Sequence, residues 1–370
     1  MTSEEVSVPN AEVTGWGKCL PPAVLSNHDL ESLTDTSDEW ISTRTGIKER
    51  RISHVDVSDL AEVAGRRALA AAGKTPKDVD LIIFGTCTAD SLIPSSASLL
   101  QHKLGAYGSA AFDLNAACSG FLYSLVVATS MIRNGTTRTA LVVGADQLHR
   151  HLDFTDRSTA VLFGDAAGAV VLEASDGPVG LLASELGLDG SVHGILEVPR
   201  DGSAGGVFPP EPSESAIRMN GPEVFRRAVT TMGEATSRTL ASAGVGIDDV
   251  DLFIPHQANV RIIDAAAKRL GLPDSKVFVN IASYGNTSAA TIPVALTEAL
   301  EEGRVSPGSL LVFAAFGAGL SWAAGVLRWG DRVVPLATSD AELPPTDLDS
   351  RALLEPNLEF YGRPELTGNQ

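Results

Sequence analysis

The chain has 370 residues, a formal net charge of −18, 44% hydrophobic residues and 35 glycines. This length allows one large domain or two smaller ones, and the composition is typical of a globular α/β protein rather than a disordered one. The negative charge argues against nonspecific nucleic-acid binding, which needs lysine and arginine to neutralise phosphates. The 3 cysteines show no CxxC spacing and are too few for a disulfide framework, which indicates reduced thiols and a cytoplasmic location.

The predicted strands and helices repeat along the chain. Residues 72–83 (AGKTPKDVDLII) predict a helix end, a polar turn and a buried strand, and residues 243–254 (AGVGIDDVDLFI) repeat this pattern at a shift of 171. ALVVGA (140–145) and LLVFAA (310–315) form a second pair of predicted strands. The helices after AACSG (116–120) and YGNTSAA (284–290) form a third pair, and aligning the ends of these helices places Cys118 opposite Asn286.

Three matches in the same order predict two duplicated α/β halves, at 10–175 and 176–330, with a site where the halves meet. The Gly-, Pro- and Ser-rich stretch at 201–215 predicts a loop, and residues 331–370 predict an irregular extension draped on the surface. The polar N-terminus has no signal-peptide pattern, and the apolar run at 121–132 is too short to span a bilayer. We therefore expect no membrane association.

Cys118 is the first candidate for chemistry in chain order. It follows the strand-like stretch 110–117 (AAFDLNAA), and Ser119-Gly120 leads into a predicted helix. The dipole at a helix N-terminus favours a thiolate, and the backbone N–H groups there can hold an oxyanion. The alternative is a buried cysteine that behaves as a small hydrophobic residue.

Three further candidates occupy similar strand-to-helix junctions in the second half. His256 follows the predicted strand VDLFI, Asn286 precedes a helix, and Ala318 lies in the glycine-rich FGAGLSW after another strand. His256 or Asn286 could each be only a helix cap. Binding and catalytic sites of α/β proteins lie at the carboxyl ends of the strands. The position of these candidates at such ends therefore favours one catalytic site that they share with Cys118. The backbone N–H of Ala318 could pair with that of Cys118 as an oxyanion hole.

Other chemistry has weaker signals. His149 and His151 flank Arg150, but an HxH without a third ligand is poor support for a metal site, so no metal is expected. The chain has neither a Walker A nor a Rossmann fingerprint.

AACSG, HQAN and GNTSAA, in this order and spacing, resemble the 3-oxoacyl-[acyl-carrier-protein] synthase III family. The resemblance covers about residues 10–330 and includes DTSDEWISTRTGIKER (35–50), TDRSTAVLFGDAAGAVVL (155–172) and FGAGLSW. It implies the five-layered αβαβα thiolase fold in a homodimer. It also implies that Cys118 takes an acyl group from acyl-CoA and that malonyl-acyl-carrier-protein condenses with it after losing CO2. His256 and Asn286 then stabilise the decarboxylation. No cofactor is implied, because the CoA thioester is a substrate.

The resemblance also implies the substrate contacts. Trp40 and Arg157 match the residues that sandwich the adenine of CoA, Arg44 matches a contact to its phosphates or pantetheine, and Asn259 matches a structural support near the site.

A basic surface for the carrier protein follows from the same resemblance. Arg261, Lys268 and Arg269 match the family's docking helix, and their spacing of seven and eight residues predicts one helical face, which Asp264 shares. An ordinary solvated helix face is the alternative interpretation.

Two positions depart from the family pattern. Ala318 replaces a glycine common in relatives, although a backbone N–H role survives that change. Ile93 stands where some relatives have an aromatic residue that limits the acyl pocket across the dimer. A smaller, flexible side chain there suggests a primer other than acetyl, longer or branched. The primer itself, the preference for CoA or carrier protein, and the pathway are not predicted.

Three other functions remain open. A non-condensing acyltransferase of the same fold, acting on an alcohol or amine, often loses the histidine or asparagine that this chain keeps. A thiolase is disfavoured because no second cysteine stands in the C-terminal glycine-rich motif. A catalytically silent partner subunit is disfavoured by the complete Cys118, His256 and Asn286 set.

Overall fold

The computed structural model describes residues 8–199 and 214–362. The strands are β1 Asn10–Cys19, β2 Ala23–Ser26, β3 Glu49–Ile52, β4 Leu81–Gly85, β5 Ala110–Leu114, β6 Thr139–Gln147, β7 Asp165–Ser175, β8 Gly180–Leu188, β9 Leu196–Glu197, β10 Arg218–Met219, β11 Leu252–Pro255, β12 Leu310–Gly317 and β13 Ser321–Arg328. The helices are α1 Asn27–Glu31, α2 Asp38–Thr45, α3 Val57–Ala72, α4 Ser96–Leu104, α5 Gly120–Arg133, α6 Arg157–Ala160, α7 Gly221–Ala243, α8 Val260–Leu270, α9 Ile281–Tyr284, α10 Thr291–Glu301 and α11 Ser350–Phe360. The loop predicted over 201–215 lies outside the described residues except at its last two positions. In the described part of the chain, no helix combines the length and apolar character that crossing a membrane requires.

Two mixed sheets form the framework. The first has the strand order β1-β7-β6-β4-β5, and the second has the order β11-β12-β13-β8. Read from its other edge, the second sheet has the order β8-β13-β12-β11, which corresponds to β1-β7-β6-β4 of the first. The pairs β12–β11 and β6–β4 are parallel, and the other neighbours in these two sets are antiparallel. The strands of the first sheet therefore come from residues 10–175, and those of the second come from residues 180–328.

Alternating side chains of the strands assign each face to a layer of helices. In β4, Leu81 and Ile83 pack in one core with α5, α10 and the second sheet, whereas Ile82 and Phe84 pack against α3 and α4. Phe253 of β11 points the other way, into a third core with α7 and α8. The order of layers is thus α3/α4, sheet, α5/α10, sheet, α7/α8, which is the predicted five-layered αβαβα arrangement.

The structure shows the two halves related by a constant shift of 171 residues. It corrects the alignment of the third pair of predicted segments. The short 3-10 turns at 117–119 and 288–290 are related by the shift of 171, and Ala117 and Ser288 both have positive φ, at 48° and 52°. Cys118 is therefore equivalent to Ala289, and the pairing of Cys118 with Asn286 is wrong. Helix α10 has 11 residues and α5 has 14, so aligning the ends of the two helices shifts their starts by one turn.

The described part of the extension, residues 331–362, contains a helix that its sequence did not indicate. Residues 350–360 form α11, although Pro356 lies inside the helix and removes one backbone hydrogen bond. Leu354 and Leu358 are buried against the core under β2 and β3. The Asn357 amide also donates to the carbonyls of His149 and Leu152, at 2.6 and 3.0 Å. Tertiary packing thus stabilises a helix in the segment predicted to be irregular.

Candidate active site

Cys118 lies in the 3-10 turn at 117–119, directly before α5. The positive φ of Ala117 bends the chain sharply between β5 and this helix. The turn packs against the end of β12, where a Cβ added to Gly317 would stand 2.8 Å from the Cys118 nitrogen. Only glycine at 317 lets the two junctions approach this closely, so the strand end that leads to Ala318 lies beside Cys118.

His256 follows β11 and is held from both sides. Its backbone N–H donates to the Ala314 carbonyl at 2.8 Å, and its ring Nδ1 lies 2.7 Å from the Thr291 hydroxyl oxygen. The side chain is buried, with 2% exposure. Burial lowers the pKa of His256 to about 3, so the imidazole is neutral near pH 7.

Hydrogen bonds fix both the backbone and the side-chain carboxamide of Asn286. Its N–H donates to the Leu162 carbonyl at 2.8 Å, and its carbonyl accepts from the Gly164 N–H at 3.0 Å. Its side-chain Oδ1 accepts from the Ser288 N–H at 2.8 Å. Because the oxygen of the carboxamide is engaged in this way, the NH2 group is the end available to a ligand.

The three predicted catalytic side chains line one cavity of about 1070 Å³. A second cavity, of about 320 Å³, shares Cys118 and Phe163 with the first and also includes Ala318. The two cavities therefore adjoin each other at Cys118, and they also share Leu196. Cys118 lies 138 positions before His256 and in the other half of the chain, and His256 and Asn286 lie 30 positions apart, so the fold brings the three together.

Opposing effects act on the thiol. Burial raises the pKa of Cys118 to about 12, a hydrogen bond with the Ser288 side chain lowers it, and the negative charge of Asp146 raises it. The N-terminus of the 14-residue α5 favours the thiolate. The start of α5 can therefore activate Cys118 as a nucleophile. His256 is neutral, so it and Asn286 can serve as neutral hydrogen-bond donors beside it.

Two family models match the chain. They are described as "3-Oxoacyl-[acyl-carrier-protein (ACP)] synthase III", matching residues 112–190, and as the C-terminal part of the same enzyme, matching residues 240–329. The chain is 53% identical over 353 residues to β-ketoacyl-[acyl-carrier-protein] synthase III 2 of Vibrio cholerae, with 95% of this chain and 98% of the relative covered. The chain belongs to the 3-oxoacyl-[acyl-carrier-protein] synthase III family.

Further comparisons agree with this assignment. The synthase III of Symbiobacterium thermophilum is 53% identical over 325 residues, covering 86% of this chain and 98% of the relative. The solved structure of the Aquifex aeolicus synthase III superposes with a TM-score of 0.81 at 47% identity, covering 86% of this chain and all of that one. These relatives confirm the thiolase fold and the condensing reaction predicted from sequence. The Vibrio match is longer than residues 1–330, so it includes part of the extension.

The predicted CoA contacts line the larger cavity or, for Arg157, lie against a residue that does. Trp40, Arg44 and Asn259 line it, and the guanidinium carbons of Arg44 and Arg157 lie 4.7 and 4.9 Å from the centre of the Trp40 ring. A base stacked between Trp40 and Arg157 needs roughly 7 Å, or two contact distances of 3.5 Å. The pair must therefore separate by about 2 Å to hold an adenine.

Asn259 has a structural role in addition to lining the cavity. Its side-chain oxygen caps α8 by accepting from the Arg261 N–H at 2.9 Å, and its amide donates to the Arg44 carbonyl at 3.1 Å. This side chain therefore ties α8 to α2 beside the cavity, and its role toward the substrate stays a prediction.

The predicted docking residues on α8 differ in their surroundings. Arg261 and Lys268 are exposed together with Asp264, whereas Ile262 and Ile263 are buried. Arg269 lies further round the helix and pairs with Glu234 of α7, with an N–O distance of 2.9 Å. Arg269 is exposed as well but stands about 80° round the helix from Arg261, because eight residues exceed two full turns by that angle. The docking role of the three residues stays a prediction.

Ile93 is 85% exposed and lines neither cavity. Its predicted place in the acyl pocket depends on a second subunit and stays a prediction. In the described residues, no group of three His, Cys, Asp or Glu side chains is arranged to hold a metal ion.

Several residues at the site were missed from sequence. Phe225 and Met232 of α7 form part of the larger cavity, and Cys87 and Leu148 line the smaller one. The fully buried Asp146 carboxylate accepts from the backbone N–H groups of Cys87 and Ala289, at 2.8 and 3.1 Å. An aspartate at the end of the otherwise apolar strand ALVVGADQ was the available signal for this anchor.

Proposed function

We propose that Cys118 accepts an acyl group from acyl-CoA and that malonyl-acyl-carrier-protein, after decarboxylation, condenses with it to give a 3-oxoacyl-carrier-protein. The observation that supports this assignment is the meeting of two cavities at Cys118, with His256 and Asn286 lining the larger one. One cavity can admit a thioester arm while the other receives the acyl chain.

In the first half-reaction, the Cys118 thiolate attacks the carbonyl carbon of acyl-CoA. The negative charge that develops on the carbonyl oxygen is stabilised by the N–H groups of Cys118 and Ala318. Collapse of the tetrahedral intermediate breaks the bond to the CoA sulfur, and CoA leaves as the thiolate and takes up a proton. The acyl group remains as a reactive thioester.

In the second half-reaction, the malonyl thioester loses CO2, and the electron pair of that bond moves toward the thioester oxygen. His256 Nε2–H and the Asn286 amide donate hydrogen bonds to this oxygen. The enolate carbon then attacks the acyl-Cys118 carbonyl, and the Cys118 thiolate is released. Neutral donors suit this role, because they stabilise the enolate without protonating it.

We propose a primer larger than acetyl. An acetyl group of three heavy atoms fills roughly 90 Å³ on the scale of 30 Å³ per water. The cavity beyond Cys118 has about 320 Å³ and is walled by Leu148, Phe163 and Ile217 among others. Its size and its largely apolar lining, which also includes Asn115, His151 and Glu197, favour a longer or branched acyl chain.

The partners follow from charge and exposed surface. Arg261 and Lys268, exposed on α8, provide positive charge for an acidic carrier protein on a chain of net charge −18. Leu92 and Ile93 are 95% and 85% exposed, and such a pair of apolar side chains supports a homodimer contact. The proposed enzyme is an acyltransferase that needs no cofactor and works with reduced thiols in the cytoplasm.

Intact-mass spectrometry with a panel of acyl-CoAs tests the first half-reaction. We expect the chain to gain the mass of one acyl group, with larger primers preferred over acetyl, and Cys118→Ala to gain none. Cys19→Ala is the matched control, because Cys19 is buried in the outer core away from both cavities and should leave acylation intact.

Release of CO2 from malonyl-carrier-protein tests the second half-reaction. His256→Ala and Asn286→Ala should acylate normally and lose decarboxylation. Condensation at the wild-type rate in either variant would contradict the assigned roles. Acyl transfer to an alcohol or amine with no CO2 released would instead support the non-condensing acyltransferase.

A further inference from the structure

The Thr291 hydroxyl lies between two hydrogen-bonding atoms. Its oxygen is 2.7 Å from His256 Nδ1 and 3.0 Å from the Ser288 carbonyl oxygen. All three residues are buried, with exposures of 3% or less. A hydroxyl has one hydrogen and can donate to only one of these atoms at a time. The choice sets where the single proton of the neutral imidazole resides.

Each choice fixes a different tautomer of His256. If Thr291 donates to the Ser288 carbonyl, its oxygen can only accept, so Nδ1 must carry the proton and Nε2 is left as a bare acceptor. If Thr291 donates to Nδ1, the proton must be on Nε2. The first tautomer cannot donate a hydrogen bond to an enolate oxygen, whereas the second can.

The surroundings favour donation to Nδ1. The Ser288 carbonyl already accepts from the Thr291 backbone N–H, so it does not require the hydroxyl. In the part of the chain that the structure describes, Thr291 is the hydrogen-bonding group recorded at His256 Nδ1. The contact with Nδ1 is also the shorter of the two, at 2.7 Å against 3.0 Å, and 2.7 Å is typical of a hydroxyl donor rather than an N–H donor. Burial also keeps the pKa of His256 low, at about 3, so near pH 7 the ring carries one proton and has only the two neutral tautomers to choose from.

We propose that Thr291 is a positioning residue whose hydroxyl donates to His256 Nδ1 and thereby holds the imidazole proton on Nε2, the nitrogen available to the substrate. This inference rests on the proposed role of His256 as a hydrogen-bond donor. The same turn orients the second donor, because the Ser288 N–H holds Asn286 Oδ1 at 2.8 Å. Residues 286–291 therefore set the direction of both donors, and Thr291 does so without contacting the substrate itself.

Thr291→Val and Thr291→Ser test the proposal. Valine keeps the branched shape and removes the hydroxyl, so decarboxylation of malonyl-carrier-protein should fall by about tenfold to 100-fold, the range for leaving a buried polar atom unpaired. Acylation of Cys118 by acyl-CoA should be unchanged, because it does not use Nε2–H. Serine restores the hydroxyl and should restore most of the decarboxylation rate.

Nitrogen-15 NMR of the histidine rings provides the readout that a merely structural role would not change. The His256 signal is identified by its loss in His256→Gln. We expect the Nε2–H tautomer in the wild-type protein and in Thr291→Ser, and a mixture of the two tautomers in Thr291→Val, because nothing then fixes the proton on Nε2.

A wild-type ring with its proton on Nδ1 would overturn the proposal, and so would Thr291→Val at the wild-type decarboxylation rate. His256→Ala separates this failure from that of the proposed function. If His256→Ala decarboxylates normally, the role of His256 is wrong, whatever the tautomer. If only Thr291→Val does so, the role of His256 stands and that of Thr291 falls.

Discussion

Acidification is expected to destabilise this protein through His256. The pKa of the buried ring is about 3, whereas an unfolded histidine has a pKa of about 6.5. Between these two values the unfolded chain binds a proton that the folded chain does not. Stability is therefore unaffected above about pH 6.5, falls as the pH drops from 6.5 toward 3, and levels off below 3.

The magnitude follows from the two pKa values. Each unit between the pH and the unfolded pKa contributes about 1.4 kcal/mol while the folded ring stays neutral. At pH 5 the gap is about 1.5 units, which corresponds to about 2 kcal/mol of lost stability, and at pH 7 the loss is close to zero. This is a large part of the roughly 5–15 kcal/mol that stabilises a typical domain.

Urea denaturation at pH 7 and pH 5 measures this loss. His256→Gln is the matched variant, because glutamine is polar and does not titrate, and the other acidic and basic groups are common to both proteins. The wild-type protein should lose about 2 kcal/mol more than the variant between the two pH values. Equal losses in the two proteins would show that the folded ring accepts a proton and that its burial is not as described.

Three further predictions concern the nucleophile and the extension. Burial raises the pKa of Cys118 to about 12, so its alkylation by iodoacetamide should accelerate about tenfold per pH unit from pH 6 to 9. A plateau in the alkylation rate below pH 9 would show that the start of α5 lowers this pKa more than burial raises it. Gly317→Ala places a Cβ 2.8 Å from the Cys118 nitrogen, so acylation should fall by about 100-fold with the fold retained, as intact mass and circular dichroism can show. Leu354→Ala empties a fully buried site and should weaken the docking of α11 by about 2–5 kcal/mol. Hydrogen exchange in residues 350–360 checks this, with the half-buried Leu353→Ala as control; unchanged exchange would contradict the packing described for the extension.

Local sequence patterns were sufficient for the framework. The strands after residues 80 and 251 are short apolar runs that follow a glycine helix end and a polar turn, and both form as predicted. Their repetition at one shift predicted the duplication, because duplicated units keep the same order of elements. The third matched pair failed in register, since α5 and α10 differ in length by three residues and helix ends are poor markers of helix starts.

The candidate catalytic residues could be predicted from sequence, but the residues that hold them in place could not. Cys118 and His256 stand at strand-to-helix junctions, which local patterns reveal, whereas Asn286 lies between the helices α9 and α10 and not after a strand as the sequence indicated. Thr291 lies 35 residues from His256 in sequence, and no periodicity connects them. The pairing of Arg269 with Glu234 is similarly a contact between two helices whose packing angle the sequence does not state.

The sequence by itself determined the alternation of strands and helices, the duplication and the candidate residues for the condensation, because these depend on side-chain period, turn chemistry and short motifs. The tertiary structure decided which nitrogen of His256 is engaged, which end of the Asn286 carboxamide is available, and that residues 350–360 form a helix despite Pro356. These features depend on hydrogen bonds and burial between segments far apart in the chain. Such contacts exist only once the layers have packed.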